Sequence, residues 1–304
     1  MAPLDEVMLN FSPASLLVLN LILGVVMFGV ALDLKVEDFR RLFHSPVAFL
    51  AGFGSQFIFL PAATFLLVLV LKPQASVALG MIMVAACPGG NISNFFTHRA
   101  GGSTALSVSM TAVATMAAVV MTPFNLAFWG SLYEPSAALV RQTSVNTLNM
   151  ALTVGMLLVV PLAIGMTINA RHEALAVRLR RPMRILSMLI FAGFVIGALA
   201  ANWGYFLDYV GVVFLIVLIH NAVALAGGYA IAAASGLDER DRRAISLETG
   251  IQNSGLGLIL IFNFFGGLGG MAIVTAWWGV WHIISGFAVA AYFRSRRLGA
   301  VAQG

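Results

Sequence analysis

A run of polar residues interrupts an apolar segment near the end of the chain, and one of these residues is a carboxylate. The run extends from Ser246 to Gly257 and contains Glu248, two side-chain amides and three glycines. A charge at membrane depth costs roughly 3 kcal/mol on insertion scales, so it persists where a partner, a cavity or an ion compensates it. The glycines loosen a helix so that backbone groups can become ligands. The run therefore predicts a functional site at Glu248, with a polar helix-packing patch as the alternative.

A second apolar segment is interrupted at Cys87–Asn94, whose sequence is Cys-Pro-Gly-Gly-Asn-Ile-Ser-Asn. Taken alone, Pro88, Gly89 and Gly90 fit a simple kink equally well, since Pro and Gly are common in membrane helices. Two broken segments at matching positions in two halves of a chain are typical of a transporter site at the membrane midplane. The pair of breaks therefore favours a site over a kink.

The composition indicates that lipid surrounds most of the protein. Of the 304 residues, 60% are hydrophobic and 10% are charged, whereas an ordinary soluble domain has about 25% charged residues. The single cysteine, Cys87, excludes an internal disulfide and a thiolate metal cluster built by one chain. The pI is about 9.9, but the arginines lie in short loops beside apolar segments, where they determine topology rather than bind nucleic acid.

Nine apolar runs are long enough, at about 20 residues, to cross the hydrocarbon core of a membrane. Residues 1–304 therefore predict one all-α polytopic membrane domain, with no soluble domain. The first run is interpreted as a retained span because residues 1–12 contain Asp5 and Glu6 and no basic residue, unlike a cleaved signal peptide. The predicted spans are 13–34, 46–71, 75–98, 103–130, 144–169, 183–201, 208–234, 243–265 and 271–293.

The basic residues are divided unequally between the two predicted sides. Only Lys72 and Arg141 fall on the side of the even-numbered loops. By the positive-inside rule, the N-terminus is predicted outside and the C-terminus in the cytoplasm. The other fifteen of the seventeen basic residues are Lys35, Arg40, Arg41, Arg99, Arg171, Arg178, Arg180, Arg181, Arg184, Arg240, Arg242, Arg243, Arg294, Arg296 and Arg297.

The two broken spans, the third and the eighth, are five spans apart and therefore run in opposite directions. Spans 1–4 and 6–9 are then predicted to be inverted repeats joined by span 5. The second halves would begin near Asn91 and Asn253 at mid-membrane, where their N–H groups and dipoles favour an anion. The first halves would end in free carbonyls, which together with Glu248 favour a small hard cation such as Na⁺.

At these residues the chain resembles the bile acid:sodium symporter family of secondary transporters. The matching motifs are Cys87–Asn94, Glu248–Ser254 and, more weakly, Gly29–Phe39. The resemblance implies a sodium-coupled symporter of an organic anion, a bile acid-like or small carboxylate substrate, that works by alternating access. It also implies a core of helices at about 46–130 and 208–293 that moves against a panel at about 13–34 and 144–201, in a bacterial inner membrane.

The resemblance implies two sodium sites behind the crossing of the broken helices, with Glu248 shared between them. Independently, Ser107 and Thr111 share one helix face because they are four residues apart, although such residues often bond only to their own helix. Gln56 is a lone amide in span 2, equally consistent with a contact between helices. The first site would use Ser93, Asn94, Ser107, Thr111 and Glu248, and the second Gln56, Glu248, Thr249, Ile251 and Gln252.

The predicted substrate residues include two departures from the bacterial members of the family. Asn91 stands where those members carry Thr, and Ile283 stands where they carry Asn. Several of them also have an additional helix before the first span. The substrate is predicted to contact Asn91, Asn253, Ser254, His282 and Ile283.

Other polar residues and other functions have simpler interpretations. His220 and His282 fit a proton relay or, more readily, helix-bonding histidines, and Cys87 fits a buried inert thiol better than a metalloid ligand. A proton-coupled or uncoupled carrier is the main alternative function, and a ligand-sensing receptor is a weaker one because no loop is large enough for an output domain. The chain has no nucleophile elbow, phosphate-binding loop or catalytic carboxylate pair, so an enzyme is not predicted.

Overall fold

The computed structural model describes residues 4–6, 8, 13–142, 146–201 and 203–296, which are almost entirely helical. One stretch, Ser55–Phe59, is a turn of π-helix between α3 and α4. The helices are α1 Pro13–Ala31, α2 Val36–His44, α3 Pro46–Gly54, α4 Leu60–Leu71, α5 Ala75–Ala86, α6 Ile92–Arg99, α7 Thr104–Leu132, α8 Glu134–Gln142, α9 Thr147–Arg171, α10 Glu173–Ala201, α11 Trp203–Ala234, α12 Glu239–Gly250, α13 Ser254–Phe264 and α14 Gly269–Ser295.

Within the described residues, five helical segments are long and apolar enough to cross a membrane. Three shorter apolar helices accompany them, and two of these, Ala75–Ala86 and Ser254–Phe264, belong to the predicted broken spans. The all-helical membrane fold is therefore confirmed, while the count of nine spans and the inverted repeat stay predictions. The five long segments are Pro46–Leu71, Thr104–Leu132, Thr147–Arg171, Tyr209–Ala234 and Gly269–Ser295.

Three helical stretches lie where the sequence predicted loops. Helices α2 and α8 follow the first and fourth predicted spans, and both are short and polar. Helix α10 begins at Glu173, ten residues before the predicted start of span 6. The arginines in this extension do not prevent a helix, because Arg, Leu and Ala are all good helix formers.

The described loops between the helices form two groups at opposite ends, and contacts between the loops define each group. At one end, which we call the basic end, Arg243 Nη1 donates to the Ala100 carbonyl at 2.9 Å and Ser103 N to the Arg240 carbonyl at 2.9 Å. Also at this end, Arg180 Nε lies 3.3 Å from Asp33 Oδ1. The opposite end joins the N-terminal segment to the loop before α5, where Ser76 N donates to Asp5 Oδ1 at 2.7 Å and Leu4 N to Gln74 Oε1 at 2.8 Å.

The largest apolar cluster among the described residues joins α1 and α9 to α5 and α13, which are one half of each broken segment. It contains Leu23 of α1, Leu158 of α9, Met83 of α5 and Leu260 of α13, all buried. Lipid tails are as apolar as these side chains, so close van der Waals packing, rather than removal from water, holds α5 and α13 in place. The breaks that follow α5 and precede α13 are thereby held at a defined position.

Candidate functional site

The two broken segments cross at their breaks and are joined there by backbone hydrogen bonds. Gly90 N donates to the Ile251 carbonyl at 2.7 Å, and Asn253 N donates to the Pro88 carbonyl at 2.9 Å. A Cβ built on Gly90 would lie 2.9 Å from the Gln252 carbonyl oxygen. The chains approach too closely for a side chain at this position, so glycine is required. The crossing also satisfies backbone groups that each helix loses where it ends.

Glu248 lies at this crossing, fully buried, with hydroxyl groups around its carboxylate. Ser93 Oγ donates to Oε2 at 2.5 Å, and Thr111 Oγ1 donates to Oε1 at 2.7 Å. Ser107 Oγ lies 3.2 Å from Oε2 and 2.7 Å from Asn94 Oδ1, so its single proton is shared between these two acceptors. All five residues predicted for the first cation site therefore lie together.

The carboxylate is stabilised by hydrogen bonds rather than by a cationic side chain. Among the described residues, no basic group lies within ion-pair distance of Glu248. A buried charge without a counter-ion is costly even when it is hydrogen-bonded. The arrangement of carboxylate, hydroxyl and amide oxygens supplies the ligands that a hard cation prefers.

The residues predicted for the second cation site also lie together, but their amides are bonded to one another. Gln56 Nε2 donates to Gln252 Oε1 at 2.8 Å and to the Cys87 carbonyl at 2.9 Å. Gln252 Nε2 donates to the Thr249 carbonyl at 2.7 Å. The fifth residue, Ile251, presents a carbonyl that accepts the crossing hydrogen bond from Gly90. Both Gln56 and Glu248 line one small cavity of about 10 Å³.

The π-helical turn places Gln56 and Ser55 toward the crossing. Pro61 has no N–H to donate to the carbonyl four residues earlier, which is that of Phe57. Asn125 Nδ2 donates to this carbonyl instead, at 3.2 Å, and Trp129 Nε1 donates to Asn125 Oδ1 at 3.1 Å. Isolated π-turns often occur at functional sites. Sequence reasoning had identified Gln56 but not the turn that positions it.

Three further polar residues that were not predicted also bind the ends of the broken helices or the site. Thr122 Oγ1 donates to the Ala86 carbonyl at 2.7 Å, and Asn221 Nδ2 donates to the Gly250 carbonyl at 2.7 Å. Ser55 Oγ lies 2.7 Å from Thr249 Oγ1. Asn221 had a detectable signal, since it is an amide inside a long apolar segment, as Gln56 is. Thr122 had none, because membrane helices commonly contain threonine.

The five predicted substrate residues are placed less uniformly. Asn253 Oδ1 accepts the Leu256 N–H at 3.0 Å, so this side chain caps α13 and occupies part of its N-terminus. Asn91 precedes α6 without such a bond, and within the described residues its buried Oδ1 has no partner. Buried Ser254 approaches Gly279 of α14. On α14, His282 is buried and its Nδ1 also has no described partner, while Ile283 packs into an apolar cluster with Phe96 and Ile251.

The second buried histidine has a structural contact. His220 Nε2 lies 2.6 Å from Thr64 Oγ1, and its ring packs against Trp278 with centroids 4.7 Å apart. This contact fits the helix-bonding interpretation. Cys87 is buried among apolar side chains.

A family model matches more than half of the chain. The model of the sodium bile acid symporter family matches residues 20–208. The chain belongs to this family. The chain is similar to the "Uncharacterized sodium-dependent transporter YocS" of Bacillus subtilis, which is 29% identical over 91% of this chain and 83% of its own length.

Two eukaryotic relatives extend the comparison. The chloroplast "Probable sodium/metabolite cotransporter BASS2" of Oryza sativa is 30% identical over 91% of this chain and 64% of its own length. The "Sodium-dependent organic anion transporter" of Bos taurus is 29% identical over 77% of this chain and 60% of its own length. The chain thus spans less than two thirds of either protein. Family and relatives are transporters, so this member of the sodium bile acid symporter family is a membrane transporter and not an enzyme.

Proposed function

We propose that the protein is a sodium-coupled symporter of an organic anion that works by alternating access. The observation that carries this proposal is the fully buried Glu248 at the crossing, which has three hydroxyl neighbours and no described cationic partner. A charge in this position needs a compensating cation. The printed names of the relatives, which are sodium-dependent transporters and cotransporters, support Na⁺ as that cation.

We assign two sodium ions to the crossing. The first would bind among Ser93, Asn94, Ser107, Thr111 and Glu248, whose oxygen atoms already converge. The second would bind to Glu248, the Gln56 and Gln252 amide oxygens, and the carbonyls of Thr249 and Ile251. Sharing Glu248 makes the two ions interdependent, because both would bind to one carboxylate whose single negative charge offsets only one of their two positive charges.

We place the organic anion at the N-terminus of α6. That helix end carries a dipole that favours a carboxylate, and the Asn91 Oδ1 has no partner among the described residues. Asn253 occupies the corresponding end of α13 with its own side chain, so the two ends are unequal. A substrate with one carboxylate and one hydroxyl group would satisfy both the dipole and the Asn91 acceptor. Ser254 and His282 would lie nearby, and Ile283 would contact an apolar edge.

We propose that the basic end faces the cytoplasm of a bacterial cell and that the N-terminus lies outside. The charge distribution supports this orientation, and so does the grouping of the loops around Arg243, Ala100, Ser103 and Arg240 at one end. The core would comprise α3–α8 and α11–α14, and the panel α1, α9 and α10. Movement of one against the other would expose the site to each side in turn.

Calorimetry of the purified transporter tests the proposal. Small carboxylates and their neutral amide analogues are titrated at zero and saturating Na⁺, with choline as the replacement cation. We expect carboxylates to bind more tightly with Na⁺ and Na⁺ to bind more tightly with carboxylates, because coupling is reciprocal. Equal binding with and without Na⁺ would contradict symport, and equal binding of acid and amide would contradict the anion site. Dependence on pH instead of Na⁺ would indicate proton coupling.

A further inference from the structure

Two cavities follow one another along a groove between α3 and α7, over α12. The deeper cavity, about 10 Å³, is lined by residues that include Gln56 and Glu248. The outer cavity, about 80 Å³, is lined by residues that include Ser45, Ser103 and Asp241. The same three segments line both cavities, with their earlier residues in the outer one. Because a helix rises 1.5 Å per residue, Asp241 and Glu248 on α12 are separated by about 10 Å.

An apolar constriction separates the two cavities. The Met110 side chain lies directly on Gly52, since a Cβ built there would overlap Met110 Cε and lie 2.6 Å from Sδ. Met110 belongs to a buried apolar cluster with Ala48, Leu106 and Ile245. Methionine is flexible and adopts alternative packings at low cost. The side chain can therefore move without disturbing the surrounding helices.

The outer cavity carries a carboxylate that offsets the positive ends of helices. The N-termini of α3, α7 and α12 all lie at this end, and each contributes a positive partial charge. Asp241 is the charged residue among those described that line the cavity. Burial and the neighbouring Asp238 raise the pKa of its carboxyl, against a hydrogen bond from Ser103 and the charge of Arg240. An ionised Asp241 lowers the barrier that three helix dipoles would otherwise present to a cation.

Hydroxyl groups continue from this cavity to the first cation site. Ser103, Ser107 and Thr111 are spaced four residues apart and so lie on one face of α7. Ser103 lines the outer cavity together with Asp241, whereas Ser107 and Thr111 contact Glu248. Ser107 and Thr111 do not line the two cavities themselves, so this row of hydroxyls runs beside the groove from its mouth to the buried carboxylate.

We propose that the groove between α3 and α7 is the route by which the coupling cation passes between Glu248 and the cytoplasm. Met110 on Gly52 is its gate, and Asp241 is the group that admits the cation at its mouth. This route is separate from the path of the organic anion, which we place between the core and the panel. The inference rests on the proposed function, because it concerns the ion bound at Glu248.

Accessibility to a membrane-impermeant cationic thiol reagent tests the route in inside-out vesicles. Ser109→Cys lies in the outer cavity and Val113→Cys in the deeper one. Fully buried Cys87 makes the wild type a control. We expect rapid labelling at position 109, slower labelling at position 113, and about tenfold faster labelling at position 113 when Met110→Ala is added, which corresponds to removal of a modest barrier. Sodium should slow labelling at position 113.

Exchange of radioactive Na⁺ by proteoliposomes without substrate measures the gate directly. Met110→Ala should accelerate exchange and Asp241→Asn should slow it by at least about threefold, as expected for loss of one partly screened charge. Met116→Ala, which removes a half-exposed methionine from the same helix, should leave the rate unchanged. Equilibrium Na⁺ affinity should stay at the wild-type value in the Met110 and Met116 variants, since a gate alters rates only.

The route and the proposed function fail in distinguishable ways. Absence of Na⁺ binding to the wild type would overturn the proposed function and the route with it. Normal Na⁺ binding with unchanged exchange in Met110→Ala, or labelling at position 113 that does not respond to the Met110 change, would overturn the route alone.

Discussion

The two proposed cation sites share Glu248 but differ in how their other ligands are occupied. In the first site, hydroxyls of Ser93 and Thr111 already point at the carboxylate. In the second, Gln56 and Gln252 donate their amide hydrogens to each other and to backbone carbonyls. The first site is a set of oxygen atoms that already surrounds a carboxylate, whereas the amides of the second site are hydrogen-bonded to each other and to the backbone.

This difference predicts different costs of binding. A hydroxyl group presents its oxygen to a cation by rotation about its C–O bond, which turns the hydrogen away and hardly moves the oxygen. In the second site, two ligand oxygens, Gln252 Oε1 and the Thr249 carbonyl, already accept hydrogen bonds that compete with a cation, each worth about 1 kcal/mol net. We therefore expect the first site to bind Na⁺ more tightly. Affinity at the second site should depend on how the broken segments are arranged, because its hydrogen bonds join span 2 to both of them.

Glu248→Gln should produce the largest effect because it removes the one charge that both sites share. At a separation near 4 Å and an effective dielectric of about 20, a unit charge is worth about 4 kcal/mol, or roughly a thousandfold in affinity. Calorimetry should detect no Na⁺ binding and uptake should cease. Glu134→Gln, an exposed acid at the start of α8, is the matched control. Sodium-dependent uptake by the Glu248→Gln variant would show that the two sites do not share a charge.

Gly89→Ala should have the next largest effect. A Cβ on Gly89 would overlap Glu248 Oε1, and overpacking typically costs about 1–3 kcal/mol. Displacement of the carboxylate should weaken Na⁺ binding at both sites by at least about fivefold. Gly211→Ala, where a Cβ meets nothing within 4 Å, is the control. If Na⁺ affinity survives in Gly89→Ala, the carboxylate is not held in the position that the first site requires.

Ser107→Ala and Gln56→Ala should separate the two sites. Each change removes one proposed ligand and should weaken its own site by about fivefold, as expected for a loss of about 1 kcal/mol. Sodium titrations of uptake should show a lower Hill coefficient in both variants and a smaller change in maximal rate. In binding isotherms, Ser107→Ala should weaken the tighter Na⁺ binding step, and Gln56→Ala should weaken the weaker step. Identical effects on both steps would merge the two sites into one.

The sequence predicted those features that depend on short-range chemistry. Pro88 and the adjacent glycines indicated the first break, and Glu248 indicated a buried site, because proline and a membrane-depth charge each have a local physical cost. Helices α2 and α8 were not predicted, because both are short and polar and therefore lack the long apolar run that indicates a membrane span.

Long-range contacts at the site were less predictable. Ser107 and Thr111 were predicted from the family resemblance, with their spacing as support, and the structure places both against Glu248. Asn125 was not identified, because its partner is a backbone carbonyl on another helix and no sequence spacing relates the two. The capping of α13 by Asn253 was also missed. Both N-termini were predicted to be open, although asparagine is a favoured residue at that position.

The smallest predicted effect concerns Asn125, which acts on the second site only through the π-turn. Asn125→Leu keeps a similar side-chain volume but removes the donor to the Phe57 carbonyl, which Pro61 leaves without its helical partner. If this bond holds the turn, Gln56 should lose its alignment and the weaker Na⁺ step should decline about threefold, while the tighter step stays unchanged. Asn149→Leu, an exposed asparagine on α9, is the control. Calorimetric isotherms separate the two steps, and equal weakening of both would mean that Asn125 supports the whole crossing rather than the second site.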